Sequence, residues 1–300
     1  MTAVTSLTVI VPVYNEEEAL ESVLPPLIDV CKKYGWQLLI VNDGSDDKSS
    51  QILGGMPSEV RILTNYINIG YGASIKRAIL ESDTEWVASF DSDGQHRTED
   101  LETFVANAAG CDAVLGVREK DSFRENKRVP GKWLLGKVTN LLVGHQIPDI
   151  NCGLRVFRCS AIKEILSLTS NGFSFSTSTM IALLKRGYNL KFLPATVNKR
   201  FGKSSVRPIS DGTSTLILIV RLIALFDPLR IMLPVSIFLF TLGAVYQIVS
   251  FIIYGLNIYD LTVLLCLSGV LVFVLALVVD QISALRREST FRDHIDKDDK

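Results

Sequence analysis

The chain has 300 residues, 48% of them apolar and 21% charged, and a formal net charge of −1. That composition excludes a disordered chain, a collagen-like repeat and a disulfide-rich scaffold, and the near-neutral charge lacks the footprint of a nucleic-acid binder. A mean hydropathy of +0.29 is high for a soluble enzyme and low for a many-pass membrane protein, so the average covers two unlike parts.

Met1–Ser6 carries no basic residue and the apolar run Leu7–Val13 is short and followed by acids. No signal peptide is expected there. Leu7–Pro12 is β-branched and reads as a strand. Ala19–Tyr34 comes next, with Leu20, Val23, Leu24, Leu27, Ile28 and Cys31 at helical spacing. The pattern then alternates: strand Gln37–Val41, helix Lys48–Leu53, strand Val60–Leu63, helix Ala73–Glu81, strand Trp86–Phe90, helix Glu99–Ala109, strand Ala113–Val117. Strand–helix repetition of this kind predicts an α/β domain, a mostly parallel sheet with helices on both faces.

Thr213–Phe226 is an apolar stretch with one charge, Arg221, before Asp227-Pro228. It is too short to span and is expected to lie at a membrane interface. Ile231–Tyr259 and Leu261–Val279 contain no charged residue. Each is long enough to cross a hydrocarbon core, which takes roughly 20 residues, and Gly255-Leu256-Asn257 supplies a turn between them. The expected division is a catalytic domain over 1–210, an interfacial helix over 211–229, a hairpin over 230–282 with spans near 231–254 and 261–281, and a charged tail over 283–300. Arg221, Arg230, Arg286, Arg287 and Arg292 flank the spans, and the turn has no Lys or Arg. The positive-inside rule then places the catalytic domain and both termini in the cytoplasm, on a multi-pass cell-membrane protein. Five scattered cysteines (Cys31, Cys111, Cys152, Cys159, Cys266) with no CxxC pair fit reduced thiols.

Ligands of parallel sheets bind beyond the carboxyl ends of the strands. Pro12-Val13-Tyr14-Asn15-Glu16 comes after the first strand, Asn42-Asp43-Gly44-Ser45-Asp46-Asp47 after the second, and Asp91-Ser92-Asp93-Gly94-Gln95-His96 after the fourth. Asp-Gly and Ser-Asp pairs are ordinary turn chemistry one at a time. Three acidic strand ends on one edge instead call for a cation between them. Asp91 and Asp93 suit a divalent ion, Mg²⁺ or Mn²⁺, that bridges a diphosphate, with Gln95 as a neutral oxygen ligand. His96 is read as a turn residue or as a partner of a ligand. A dinucleotide fold is rejected because its glycine loop is missing after the first strand. Asn68-Ile-Gly70-Tyr-Gly72 lies after the third strand and lacks the third glycine.

Val11-Pro12-Val13-Tyr14-Asn15-Glu16, Asn42-Asp43-Gly44-Ser45, Asn68-x-Gly70-x-Gly72-x-x-x-Lys76 and Phe90-Asp91-Ser92-Asp93-Gly94-Gln95-His96, in this order, resemble the family 2 glycosyltransferases of GT-A fold. Within that family the chain is similar to the dolichyl-phosphate mannose synthase and GtrB-like polyprenyl-phosphate glycosyltransferase branch. The resemblance implies an enzyme that moves a sugar from a nucleotide sugar to polyprenyl phosphate at the membrane. A UDP-hexose is the favoured donor and GDP-mannose the alternative. It implies donor contacts from Pro12, Tyr14, Glu16, Asp43, Lys76, Asp91 and Ser92, and metal contacts from Asp91, Asp93 and Gln95. Arg118, in Gly116-Val117-Arg118, matches an arginine that faces phosphate. Asp149, in Asp149-Ile150-Asn151-Cys152-Gly153-Leu154-Arg155, matches an acid near the acceptor and is the candidate base.

Arg200-Phe201-Gly202-Lys203-Ser204-Ser205 resembles a loop that covers the donor diphosphate, with Ser205 where relatives carry lysine. Lys203 or Arg207 is left to supply that charge. Asp93, Arg118, Asp149 and Arg200 form the expected catalytic set. The base-rich stretch Arg118–Lys137 offers Arg118, Arg124 and Arg128 to the acceptor phosphate. A phosphate acceptor is already ionised near neutral pH, whereas a hydroxyl acceptor, the second reading, needs a general base. An inactive membrane scaffold is the third reading. The Gln-x-x-Arg-Trp signature of processive synthases is absent. A homo-oligomer is left open.

Overall fold

The computed structural model describes Val4, residues 6–119, Asp149, residues 152–201 and residues 208–298, with side chains described from 216 to 285 in the last segment. Strands β1 (Leu7–Val13), β2 (Gln37–Asn42), β3 (Val60–Thr64), β4 (Trp86–Ser89) and β5 (Ala113–Arg118) alternate with helices α1 (Glu17–Tyr34), α2 (Ser49–Gly54), α3 (Tyr71–Leu80) and α4 (Thr98–Ala106). These elements match the sequence pattern to within a turn. The pattern did not yield the next group: β6 (Arg155–Arg158), α5 (Cys159–Ile165), α6 (Phe175–Lys185) and β7 (Leu190–Ala195). The strand β6 has no alternation to reveal it, because Arg155, Val156 and Phe157 are all buried.

The seven strands form one sheet in the order β3-β2-β1-β4-β6-β5-β7. β6 runs antiparallel to β4 and β5, and the other pairings are parallel. Residues of β1 alternate between two cores. Leu7, Val9, Val11 and Val13 pack with α1 and α4 on one face. Ile10 packs with α3, α5 and α6 on the other. The chain leaves β1 toward β2 and β3 and then returns to β4 on the opposite side. That reversal opens a crevice at the carboxyl ends of β1 and β4. Two bonds tie this crevice: Phe90 N–H to the Ile10 carbonyl (2.9 Å) and the Ser92 hydroxyl to the Pro12 carbonyl (2.8 Å).

The antiparallel β6 changes what reaches the edge. Parallel strands deliver the residues that come after them, whereas β6 delivers the residues that precede it. Cys152, Gly153 and Leu154 therefore arrive beside the end of β4, where the Ser89 hydroxyl donates to the Gly153 carbonyl (2.7 Å).

The chain divides into two compact units, one reaching Leu218 and the other running from Ile219. Helix α7 (Pro208–Phe226) starts earlier than the expected apolar stretch, and Ile219, Leu222, Ile223 and Phe226 on one stripe are buried. Helices α8 (Leu229–Tyr254) and α9 (Asp260–Asp298) form an antiparallel hairpin. Leu229–Tyr254 and Asp260–Leu285 are long and apolar enough to cross a membrane.

The seam of the hairpin is made of small residues one heptad apart. Ser236, Gly243 and Ser250 are the buried positions of α8, and Thr262, Gly269, Ala276 and Ser283 line the α9 side. Small side chains let the backbones approach, as in helix packing within lipid. The Ser236 hydroxyl donates to the Gly269 carbonyl (2.8 Å). Near the turn Gln247 donates to the Asn257 carbonyl (2.7 Å) and accepts from Thr262 (2.8 Å), which satisfies the polar groups there. Tyr246 and Tyr254 meet Tyr259 edge-on at the same end, the placement expected of an interfacial aromatic belt.

Candidate active site

Three strand-end segments and two later ones meet at the carboxyl edge. The first two are knitted together by backbone donors. Asn15 adopts a left-handed φ of 55°, stabilised because its side chain accepts from Asp46 N–H (2.9 Å) and its own N–H donates to Ser45 Oγ (3.2 Å). Asn42 accepts from Ser45 N–H (3.0 Å) and donates to Ser50 (2.9 Å), so the amide serves the turn.

The acids at the end of β4 differ sharply. Asp91 is caged. Its Oδ1 accepts from the Tyr71 hydroxyl (2.8 Å) and its Oδ2 lies 3.2 Å from His96 Nε2. Burial alone would raise the Asp91 pKa, but His96, the Tyr71 hydroxyl and the Arg155 charge outweigh it and hold it below the usual carboxylate range. Gly153 presses on the same group, and a Cβ there would meet Asp91 Oδ2 at 1.9 Å.

Asp93 has weaker support. Its Oδ1 accepts from Gln95 N–H (3.1 Å), and Arg200 Nη1 stands 3.9 Å from its Oδ2. Burial and the charge of Asp91 push its pKa up. His96 and Arg200 pull the other way, with less effect.

Arg200 bridges this edge to the first strand end. Its Nη2 donates to Glu16 Oε1 (2.9 Å). Burial, with Asp93 and Asp91 adding to it, pushes Glu16 up to about 7 against the pull of Arg200. The segment that carries Arg200 is held by Asn198 N–H to the Gln95 carbonyl and Phe201 N–H to the Asp93 carbonyl, both 3.0 Å.

On the far side Arg118 and Asp149 form a two-toothed pair, Nε to Oδ2 at 2.6 Å and Nη2 to Oδ1 at 2.9 Å. The Arg118 backbone N–H adds a third bond to Oδ2 (3.1 Å). The sequence assigns these residues separate roles, a phosphate-facing cation and a base. The structure makes them partners, because β5 ends where the segment before β6 enters.

Several expected donor residues are engaged by the protein itself. Asp43 is buried and accepts from Asn65 (2.7 Å), Ile69 N–H and Gly70 N–H (both 2.9 Å), so it organises the loop after β3. The Lys76 ammonium donates to the Thr169 carbonyl (2.5 Å) and Asn171 Oδ1 (2.9 Å), which ties α3 to the loop before α6. The Ser92 hydroxyl serves the Pro12 carbonyl. The reason is common to all three: each lies where a loop must be anchored. Tyr14 is half-buried and Pro12 buried at the end of β1. Lys203, Arg124 and Arg128 lie outside the described residues, as do Ser205 and Arg207.

Three contributors were not read from the sequence. Tyr71 sits inside the Gly70-x-Gly72 motif, and nothing local says that it faces β4. Arg155 is 1% exposed and donates to the Cys152 carbonyl (2.8 Å) and to the Ser176 carbonyl. A lone arginine in the apolar run Leu154-Arg155-Val156-Phe157 was the available signal. Gly153 is legible only once β6 is placed. His96 is 3% exposed at its side chain and acts as a partner of Asp91.

Among the described residues no group of three or more His, Cys, Asp or Glu is arranged to hold a metal alone. The arrangement suits an ion held by one or two carboxylates and completed by substrate phosphate, the usual habit of Mg²⁺. The underserved charge of Asp93 fits that use.

A crevice at the carboxyl ends of the parallel strands, with clustered acids after β4, defines a ligand-binding α/β unit, and sequence comparison gives its family. Residues 8–166 match the family described as "Glycosyl transferase family 2", and the chain belongs to it. Residues 227–285 match the "GtrB C-terminal hairpin". The undecaprenyl-phosphate 4-deoxy-4-formamido-L-arabinose transferase of Pectobacterium atrosepticum is 29% identical over 66% of this chain and 62% of that protein. The dolichyl-phosphate hexose transferase of Haloferax volcanii is 27% identical over 69% of this chain and 90% of its own. In fold, the chain resembles glucosyl-3-phosphoglycerate synthase from Mycobacterium tuberculosis, solved with Mn²⁺, UDP and phosphoglyceric acid. The TM-score is 0.52 at 14% identity, covering 73% of this chain and 78% of the other. The protein is thus a glycosyltransferase with a GT-A-like catalytic unit and a C-terminal apolar hairpin, and the two relatives given above are named as polyprenyl-phosphate sugar transferases.

Proposed function

We propose that the chain transfers a sugar, with inversion, from a nucleotide sugar to polyprenyl phosphate at the cytoplasmic face of a cell membrane. The family, the hairpin and the names of the relatives support this reading. A uridine nucleotide is favoured because the structural neighbour was solved with UDP. Arginines flanking the spans and their absence from the turn support the cytoplasmic orientation.

Asp91 and Asp93, with Gln95, would hold Mg²⁺ or Mn²⁺. That ion, when bound, neutralises charge on the diphosphate leaving group. Glu16, Tyr14 and Pro12 line the donor side of the edge. Arg200 supplies a fixed cation where that charge develops, and Lys203 is assigned to the same loop. Direct displacement of the diphosphate by the acceptor oxygen gives inversion.

The observation that carries the acceptor class is the Arg118–Asp149 pair. A carboxylate gripped by both arms of a guanidinium is a poor general base, since protonating it would break a charge-assisted pair. The acceptor must then bring its own negative charge. A phosphomonoester does so, with a second pKa of about 6, and a hydroxyl does not. Arg118 retains Nη1 outside the pair, and we assign Arg124 and Arg128 to the same phosphate.

The test is transfer of radiolabelled sugar to polyprenyl phosphate and to the matching polyprenol. Labelling of the phosphate is expected, with Asp149→Asn retaining a substantial share of the rate. Labelling of the alcohol alone, abolished by Asp149→Asn, would overturn the reading.

A further inference from the structure

The Gly70-Tyr71-Gly72 motif has the look of a phosphate cradle, but its backbone is committed elsewhere. Gly70 N–H donates to Asp43 Oδ2 (2.9 Å). A Cβ on Gly70 would meet the Asn171 carbonyl oxygen at 2.6 Å, and one on Gly72 would meet the Ser170 carbonyl oxygen at 2.3 Å. Both glycines thus let the loop before α6 close on the first turn of α3. That closure is fastened by Ala73 N–H to the Asn171 carbonyl (2.9 Å) and by the two bonds of Lys76 to Thr169 and Asn171.

The residue between the glycines is what this clamp aims. The Tyr71 ring stacks on Phe173 of the same loop, with centroids 5.9 Å apart, and its hydroxyl donates to Asp91 Oδ1 at 2.8 Å. A carboxylate turns freely about its last bond unless both oxygens are held. His96 holds Oδ2, Gly153 closes one side, and Tyr71 fixes Oδ1. The second lone pair of each oxygen remains for another partner.

We propose that Tyr71 is a positioning residue that sets the plane of the Asp91 carboxylate for the donor diphosphate and its divalent ion. The proposal rests on the function given above. It also gives Lys76, Asn171 and Phe173 a shared task, the support of Tyr71.

The experiment uses the full-length protein in nanodiscs and reads Mn²⁺ by electron paramagnetic resonance, with and without UDP. Tyr71→Phe keeps the stack and removes the hydroxyl, and is expected to raise the Mn²⁺ dissociation constant in the presence of UDP about tenfold. Phe173→Leu, which removes the stacking ring alone, should raise it two- to threefold. Tyr188 serves as control because its hydroxyl also donates to a carboxylate, Glu164 Oε2 at 2.7 Å, away from this edge. Tyr188→Phe should leave Mn²⁺ binding unchanged. Equal binding by wild type and Tyr71→Phe would overturn the proposal while leaving the function standing. Equal weakening by Tyr71→Phe and Tyr188→Phe would also overturn it, as a general loss of stability. Absence of UDP-dependent Mn²⁺ binding in the wild type would overturn the donor reading and this proposal together.

Discussion

The two units bury opposite kinds of residue. In the catalytic unit the largest fully buried side chains are Arg155, Phe90, Phe104, Phe157 and Phe175, and the core is built from bulk. In the hairpin the buried positions of α8 are Ser236, Gly243 and Ser250, while Phe238, Ile252, Leu264 and Leu271 point outward. Water drives the first pattern, because apolar bulk removed from water contributes about 25 cal/mol per Å². In a hairpin long and apolar enough to cross a membrane, lipid would remove that drive and close backbone approach would take over. The same contrast governs charge. The catalytic unit buries Arg155 beside its acids, whereas the buried polar side chains of the hairpin, among the described residues, are the hydroxyls of Ser236, Ser250, Thr262 and Ser283.

The sharpest way to separate the units is to damage the acid edge. Asp93→Ala removes the carboxylate with the weakest internal support, so its loss should leave the fold intact. We expect sugar transfer to fall about 10²–10³-fold, with thermal unfolding and membrane insertion unchanged. Gly153→Ala attacks the same edge through packing, since its methyl would fall on Asp91 Oδ2. A comparable loss of activity is expected, with a stability cost of about 1–3 kcal/mol. Unfolding and transfer measured on both variants check this. Wild-type activity in Gly153→Ala would mean that Asp91 can shift without consequence.

Legibility in the sequence depended on strand direction. Parallel strands place their trailing residues at the edge, so Glu16, Asp43, Asp91 and Asp93 could be found just past the end of each apolar run. The antiparallel β6 reverses that rule, and Gly153 and Arg155 precede or open the strand. Asp43, Lys76 and Ser92 were legible as residues of the edge, but their engagement by neighbouring loops depends on backbone groups far along the chain. The hairpin could be read from uncharged length, whereas its seam of small residues, 236-243-250 and 262-269-276-283, emerged only once the two helices were paired.

The second test breaks the other unit. A Cβ on Gly269 would lie 3.1 Å from the Phe240 ring and 3.2 Å from the Ser236 carbonyl oxygen. Gly269→Leu should therefore part the hairpin at a cost of about 1–3 kcal/mol. Protease resistance of the spans in nanodiscs should fall, and UDP-dependent Mn²⁺ binding by the catalytic unit should not. Outward Leu271→Ala, by contrast, should change neither. Equal resistance in Gly269→Leu and Leu271→Ala would show that the small-residue seam does not hold the helices together.

The narrowest expected effect belongs to Glu16 and is confined to one stretch of the pH range. Its side chain is 14% exposed beside Arg200, and burial lifts its pKa from an ordinary 4.5 to about 7. The native state therefore keeps a proton on Glu16 over a range in which the unfolded chain has lost it. Stability linked to this group is present in full below about 4.5 and is lost as pH rises through about 7. One proton limits the slope to about 1.4 kcal/mol per pH unit. Glu16→Gln should flatten that part of the stability curve between pH 5 and 7, read as the difference between the two proteins in urea unfolding. Donor binding sharpens the point. A divalent ion at Asp91 and Asp93 would offset the two charges that help to raise Glu16, so the wild-type slope should weaken when Mn²⁺ and UDP are added. A slope that persists with both present would place the source of the shift in burial alone, and one that persists in Glu16→Gln would assign it to another group.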